Sequence, residues 1–150
     1  MAGHRIIYIR ERIQRQAPDI YSTLTLPYQL RIKHTQRNYL DNKEDVILAL
    51  PQGTRLYGGD FLRSEDDLII EVKPAIESVY QAKSKVTLQL QYACYYLGLR
   101  HIPAQIIENA LLYQDNDRAT QIMEQFNFEV TEVEAMFEPI PMQVQTNRKF

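Results

Sequence analysis

Up to Val72 the apolar positions either alternate with polar ones or gather in short runs; beyond Ala75 their spacing lengthens to that of helices. Ile6 to Ile9 is a short apolar run that predicts a strand, followed by a loose Arg- and Gln-rich segment to about Asp19. In Thr23 to Leu26, Leu24 and Leu26 share one face of a strand, and Leu30 and Ile32 follow Pro27, which marks an edge or a bend. Val46 to Leu50 is a continuous apolar strand that stops at the turn Pro51-Gln52-Gly53. Gly58-Gly59 tolerates positive φ and predicts a tight hairpin between Leu56 and Phe61; Leu68 to Val72 then closes an all-β half. No helical period is sustained before Lys73.

Lys73-Pro74-Ala75 is the expected boundary, because the pattern changes in kind after it. Glu77 to Gln81 reads as a strand and Ser84 as the N-cap of a helix over 85–97. That helix has two apolar stripes: Val86, Leu90, Ala93, Cys94 and Leu97 on one side, and Leu88, Tyr92 and Tyr95 nearly opposite. One stripe suits the domain's own sheet; the other, with its tyrosines, suits a partner. Gly98 fits the left-handed position that ends a helix, which leaves Arg100 and His101 on a turn before Pro103. Two strands, Gln105 to Ile107 and Ala110 to Tyr113, flank a two-residue turn at Glu108-Asn109, and Asn116 or Asp117 caps a second helix carrying Ala119, Ile122, Met123 and Phe126. A last strand starts at Phe128, where a change of apolar phase predicts a bulge near Thr131 or Glu132. The expected class is α+β: a small all-β domain at 1–73, a ferredoxin-like βαββαβ domain at 74–139, and a mobile tail at 140–150.

Charge and cysteine content narrow the functional classes. A net charge of -2 with interspersed signs provides no basic stripe, so nucleic acid is not an expected partner. No apolar run reaches the length of a bilayer span, and no signal-peptide core follows the amino-terminal charges; a soluble, cytoplasmic protein is expected. One cysteine, Cys94, rules out an intrachain disulfide framework and reads as a small buried hydrophobe. The three histidines, His4, His34 and His101, are far apart in sequence, so clustered motifs do not build a closed His/Cys metal site in one subunit. Taken alone, His101 reads as a helix-end histidine with an ordinary hydrogen bond, and His4 and His34 as solvated surface residues.

Four segments change that reading: Leu26-Pro27-Tyr28-Gln29-Leu30-Arg31, Leu50-Pro51-Gln52-Gly53-Thr54, Tyr95-Tyr96-Leu97-Gly98-Leu99-Arg100-His101-Ile102-Pro103, and the run from Glu129 to Pro139. In this order and spacing the chain resembles the UreE family of urease accessory nickel metallochaperones. The resemblance implies a β domain likened to peptide-binding chaperone modules and a ferredoxin-like domain that dimerises head to head. It implies that His101 binds Ni(II) together with His101 of a second subunit, with Zn(II) or Cu(II) as competing ions. It implies, as partners, the urease maturation GTPase and the complex of urease apoprotein with its accessory proteins, and no covalent catalysis.

Departures from the family pattern accompany the match. Tyr96 and Leu99 stand where relatives have a histidine and an asparagine, and Asp115 and Asp117 where many have further histidines. Asp115 and Asp117 could supply oxygen ligands, although acids at a helix start are more simply explained by capping and the helix dipole. The end of the chain, Thr146 to Phe150, lacks the histidine-rich tail of many relatives. A single shared ion per dimer is therefore expected. These losses also motivate a rival reading, an interaction adaptor of the urease maturation complex that no longer binds metal. An enzyme with His101 as general base is the weakest reading, because the chain has no nucleophile motif, phosphate-binding glycine loop or metal-hydrolase histidine pair.

Overall fold

Alternating residues with one apolar face must bury that face, and in the first half of the chain they do so as one mixed sheet. The computed structural model describes residues 3–14 and 19–141, and the chain divides into two units between Ala75 and Ile76. The first unit contains β1 (Ile6–Ile13), β2 (Ser22–Leu26), α1 (Tyr28–Arg31), β3 (Thr35–Tyr39), β4 (Asp45–Ala49), β5 (Phe61–Ser64) and β6 (Ile69–Pro74). The strand order is β2-β6-β5-β1-β4-β3, with β1 and β4 parallel, β2 and β6 parallel, and the other neighbours antiparallel. Ile7, Ile9, Leu24, Leu26, Val46, Leu48, Leu62, Ile70 and Val72 fill the core from alternate positions.

Three local expectations are corrected here. β1 runs past Ile9 to Ile13, because Glu11, Arg12 and Ile13 pair with Arg63, Leu62 and Phe61 of β5 and the charged side chains find partners in Arg63–Glu11 and Arg12–Asp60. Cross-strand charge pairs thus extend a strand that apolar periodicity did not reveal. After Pro27 the chain makes the single-turn helix α1, too short to leave a period in the sequence. It is pinned by Arg31, a fully buried side chain whose Nε donates to the Leu26 carbonyl at 3.1 Å. Gly58-Gly59 does form a turn, with Gly59 at φ +87°, but Leu56 lies in no strand and β5 pairs with β1 and β6 instead of forming the expected hairpin.

The second unit follows the order β7 (Ile76–Lys83), α2 (Thr87–Leu99), β8 (Ala104–Ile107), β9 (Ala110–Tyr113), α3 (Asp117–Gln125), β10 (Glu129–Met136). Its sheet, β10-β7-β9-β8, is antiparallel throughout, the ferredoxin-like arrangement. The α+β class with an all-β first half and a ferredoxin-like second half is therefore the observed one. Ala93 and Leu97 of α2 and Ala119, Ile122 and Met123 of α3 pack with Ala82, Leu111 and Tyr113 of the sheet. Asn116 caps α3, its side chain accepting from the Ala119 N–H at 3.1 Å. Ser84 does not cap α2: Val86 is the N-cap, and the Ser84 hydroxyl instead accepts from the Val86 N–H in a short turn before the helix. The bulge near Thr131 or Glu132 is absent, since β10 pairs with β7 in unbroken register from Glu129↔Lys83 to Met136↔Ile76. The change of apolar phase has another cause: Val130 packs into the helix-covered core, whereas Val133 pairs with buried Val79 on the opposite face. Of the expected mobile tail at 140–150, residues 142–150 lie outside the described residues, and the Ile140 N–H donates to the Ala104 carbonyl at 3.0 Å. No helix among the described residues is long and apolar enough to cross a membrane.

One carboxylate gives the first unit a pH signature. The side chain of Asp45, at the start of β4, is wholly shielded from solvent and accepts from Arg37 and from His4 Nε2, the latter at 2.8 Å. Chiefly the Arg37 guanidinium, and then His4, hold its pKa down at about 2. A carboxyl group with a folded pKa below its unfolded value stabilises the fold while charged; that contribution is complete above roughly pH 4 and is lost as the pH falls towards 2. Asp45→Asn is expected to lower the urea midpoint at neutral pH and to flatten the loss of stability between about pH 4 and 2. Parallel acid limbs in the two proteins would contradict this assignment.

Candidate metal site

The end of α2 decides where His101 stands. The helix passes through Gly98 and Leu99, and two backbone hydrogen bonds close it: His101 N–H to the Gly98 carbonyl at 3.1 Å, and Ile102 N–H to the Leu97 carbonyl at 3.0 Å. This pair of bonds is a Schellman closure, with Ile102 packing back into the core that holds Leu97. The residue that such a closure needs in the left-handed region is His101 itself, at φ +54°. Gly98, expected in that role, has helical backbone and no positive φ. Local preference is thus reversed at both positions. Glycine inside a helix costs about 1 kcal/mol relative to alanine, and a residue with a β-carbon in the left-handed conformation costs roughly 1–2 kcal/mol. The return on this arrangement is geometric, since a left-handed turn swings His101 clear of the helix and leaves it exposed.

The ring lies beside two depressions. One, of about 370 Å³, is mainly apolar and is bordered by Cys94, Leu97, Gly98, Ile102, Ile106 and Ile140 together with His101 and four further residues. The other, shallower and of about 410 Å³, is bordered by Cys94, Tyr95, Gly98, Leu99 and His101. Ile140 and Pro141 in the first wall were assigned to a tail by sequence. Proline next to an isolated isoleucine leaves no periodic signal, and the backbone bond from Ile140 to Ala104 is what carries the segment there. Leading up to His101, α2 exposes Leu88, Tyr92, Tyr95 and Leu99 at i, i+4, i+7 and i+11, a continuous apolar stripe on the side away from its own core. The two-sided helix expected from sequence is present, except that Val86, expected on the inner stripe, is the exposed N-cap outside the helix, and Tyr92 of the outer stripe stacks on Phe126 with ring centroids 6.0 Å apart.

The other candidates separate by what they touch. Tyr96 is committed to packing between the helices, its ring 5.6 Å from that of Phe126. Tyr96, standing where the resemblance implies a histidine, is therefore a packing residue. Cys94 is half-buried, and desolvation pushes its thiol pKa upward, so the thiolate a soft metal would require is disfavoured. Asp115 and Asp117 are exposed at the start of α3. The pairing of Ala104 with Tyr113 puts their loop at the same end of the sheet as the His101 turn, but neither borders the two depressions beside the ring. His4 is held by Asp45 in the first unit, more engaged than the solvated residue expected, while His34 is partly exposed there and its carbonyl accepts from the Leu50 N–H.

Among the described residues no group of three or more His, Cys, Asp and Glu could hold a metal ion. A neutral imidazole is a good ligand for divalent nickel, zinc or copper, but one imidazole is a fraction of a coordination sphere. An ion on His101 must take its remaining ligands from water or from another molecule.

The chain is thus a β unit followed by a ferredoxin-like unit with an exposed histidine at a helix end. Family comparison agrees unit by unit: residues 6–75 match the UreE urease accessory protein N-terminal domain, and residues 77–148 match the UreE urease accessory protein C-terminal domain. The chain belongs to the UreE family of urease accessory proteins. It is 36% identical over 135 residues to the urease accessory protein UreE of Citrobacter koseri, covering 89% of this chain and 88% of that one. It is 35% identical over 135 residues to that of Enterobacter sp. strain 638, with the same coverage. With the UreE of Ralstonia nicotianae it shares 37% identity over 125 residues, 83% of this chain but 57% of the longer relative.

The backbone at His101 yields a stability prediction. His101→Gly should relieve the left-handed strain and raise the metal-free unfolding free energy in urea by about 1 kcal/mol. A decrease of that size would show that the imidazole is a structural contact.

Proposed function

We propose that the protein is a nickel carrier of urease maturation: a cytoplasmic homodimer in which His101 of each chain holds one Ni(II) between them and passes it on for assembly of the urease active site. The observation that carries this reading is the exposed, left-handed His101 at the end of an apolar stripe that the single chain leaves bare. Two such helix ends brought together by a two-fold axis would cover the stripe and bring two imidazoles to one point. A pair of neutral nitrogen ligands leaves the other nickel positions to water or carboxylate, so the ion is bound and still releasable. Asp115 and Asp117, exposed at the same end of the sheet, are the candidate oxygen ligands. Membership of a family of urease accessory proteins supports the placing in urease maturation.

Nickel is cargo here, and the protein performs no covalent step. Copper would bind a site of this kind more tightly and zinc competes with it, so selectivity comes from geometry and from the receiving protein. The recipients in this reading are the maturation GTPase and the complex of urease apoprotein with its accessory proteins. Dialysis of purified protein against micromolar nickel is expected to give one ion per two chains, and His101→Ala to bind none. Undiminished binding by that variant would refute the assignment. Absence of nickel binding in the parent, with capture of the GTPase intact, would favour the metal-free adaptor that the replacements at Tyr96 and Leu99 suggest.

A further inference from the structure

Two circumstances ordinarily account for a glycine within a helix: a backbone angle that other residues avoid, or a neighbour too close for a β-carbon. Neither applies to Gly98. Its φ lies outside the left-handed region, and a β-carbon built on it meets nothing within 4 Å. The chain by itself gives alanine every advantage at this position. The reason for glycine must therefore lie in something that approaches from outside. Gly98 is exposed, it borders both depressions beside His101, and it precedes His101 by three residues, within one turn. The exposed apolar residues Tyr95 and Leu99 flank it.

We infer that Gly98 is a close-approach residue, over which a second copy of this chain seats its own helix end so that the two His101 rings reach a common ion. This rests on the shared-ion reading above and adds the residue that sets the distance between the copies. The occupant is a second copy because the ligand set is incomplete in one chain: no third His, Cys, Asp or Glu stands near enough to complete a site among the described residues. In a two-fold contact the same patch meets itself, so a change at Gly98 enters from both sides. A methyl group projects about 1.5 Å from the backbone, whereas metal–nitrogen distances near 2.0–2.1 Å tolerate deviations of about 0.2 Å. An added methyl on each side exceeds that tolerance several-fold. The approach, and with it the span between the imidazoles, is then governed by the hydrogen at Gly98.

The test uses the full chain with Gly98→Ala, Gly98→Leu and His101→Ala. Urea midpoints are read on metal-free protein at concentrations where dilution no longer moves them, nickel affinity by calorimetry, and association by sedimentation. Gly98→Ala is expected to hold or raise the midpoint while nickel affinity falls at least about tenfold, with Gly98→Leu losing more affinity and dimer than Gly98→Ala. Parent-like nickel affinity in Gly98→Ala, with binding lost in His101→Ala, would overturn this inference and leave the shared-ion reading standing. Parent-like affinity in His101→Ala would overturn the reading beneath it. A fall in the midpoint of Gly98→Ala would assign the glycine to the fold and also overturn the inference.

Discussion

One imidazole cannot by itself hold a divalent ion, and this chain projects one imidazole at a helix end where, among the described residues, no group of three His, Cys, Asp or Glu could hold a metal. The proposed function follows from that deficiency. A closed site would trap its ion; a half-site must be completed from outside and can be taken apart again. The fold presents the half-site on a rigid support. α2 is locked to the sheet through Ala93 and Leu97, its last turn is closed by two backbone bonds, and the residue in the closing left-handed position is His101, the proposed ligand. Rotation of the side chain remains, while the Cα position is fixed by the fold.

The helix that ends at His101 is also the helix with an uncovered face. Leu88, Tyr92, Tyr95 and Leu99 form an exposed stripe that ends beside His101. In the proposed dimer, the contact that completes the ligand set would also remove this stripe from water. In that proposal, apolar burial would hold the protomers together, so that the metal need not contribute that part of the free energy.

Sequence made the architecture legible because both halves obey simple periodicities. Alternation at Leu24 and Leu26 and the run from Val46 placed strands of the first unit, and the two stripes of α2 correctly foretold a helix with an inner and an outer face. What escaped lay where tertiary context overrode local preference. Ile13 entered β1 through pairing across the sheet, and α1 was a single turn anchored by buried Arg31. The phase change in β10 came from burial on two faces, not from a bulge. At the site, His101 was legible only through motif resemblance, since an isolated histidine has no chemical pattern. Its conformation was misassigned to Gly98 because glycine is the usual left-handed residue. That conflict between local preference and observed backbone is what singles out both residues.

The central claim is that two chains share one ion, and subunit mixing tests it most directly. Parent protein and His101→Ala are mixed in varied proportion, allowed to exchange subunits, and assayed for nickel bound per parent chain. If the ion needs an imidazole from each protomer, capacity per parent chain falls in proportion to the parent fraction. If each chain binds independently, capacity per parent chain stays constant across all mixtures, and the account is contradicted.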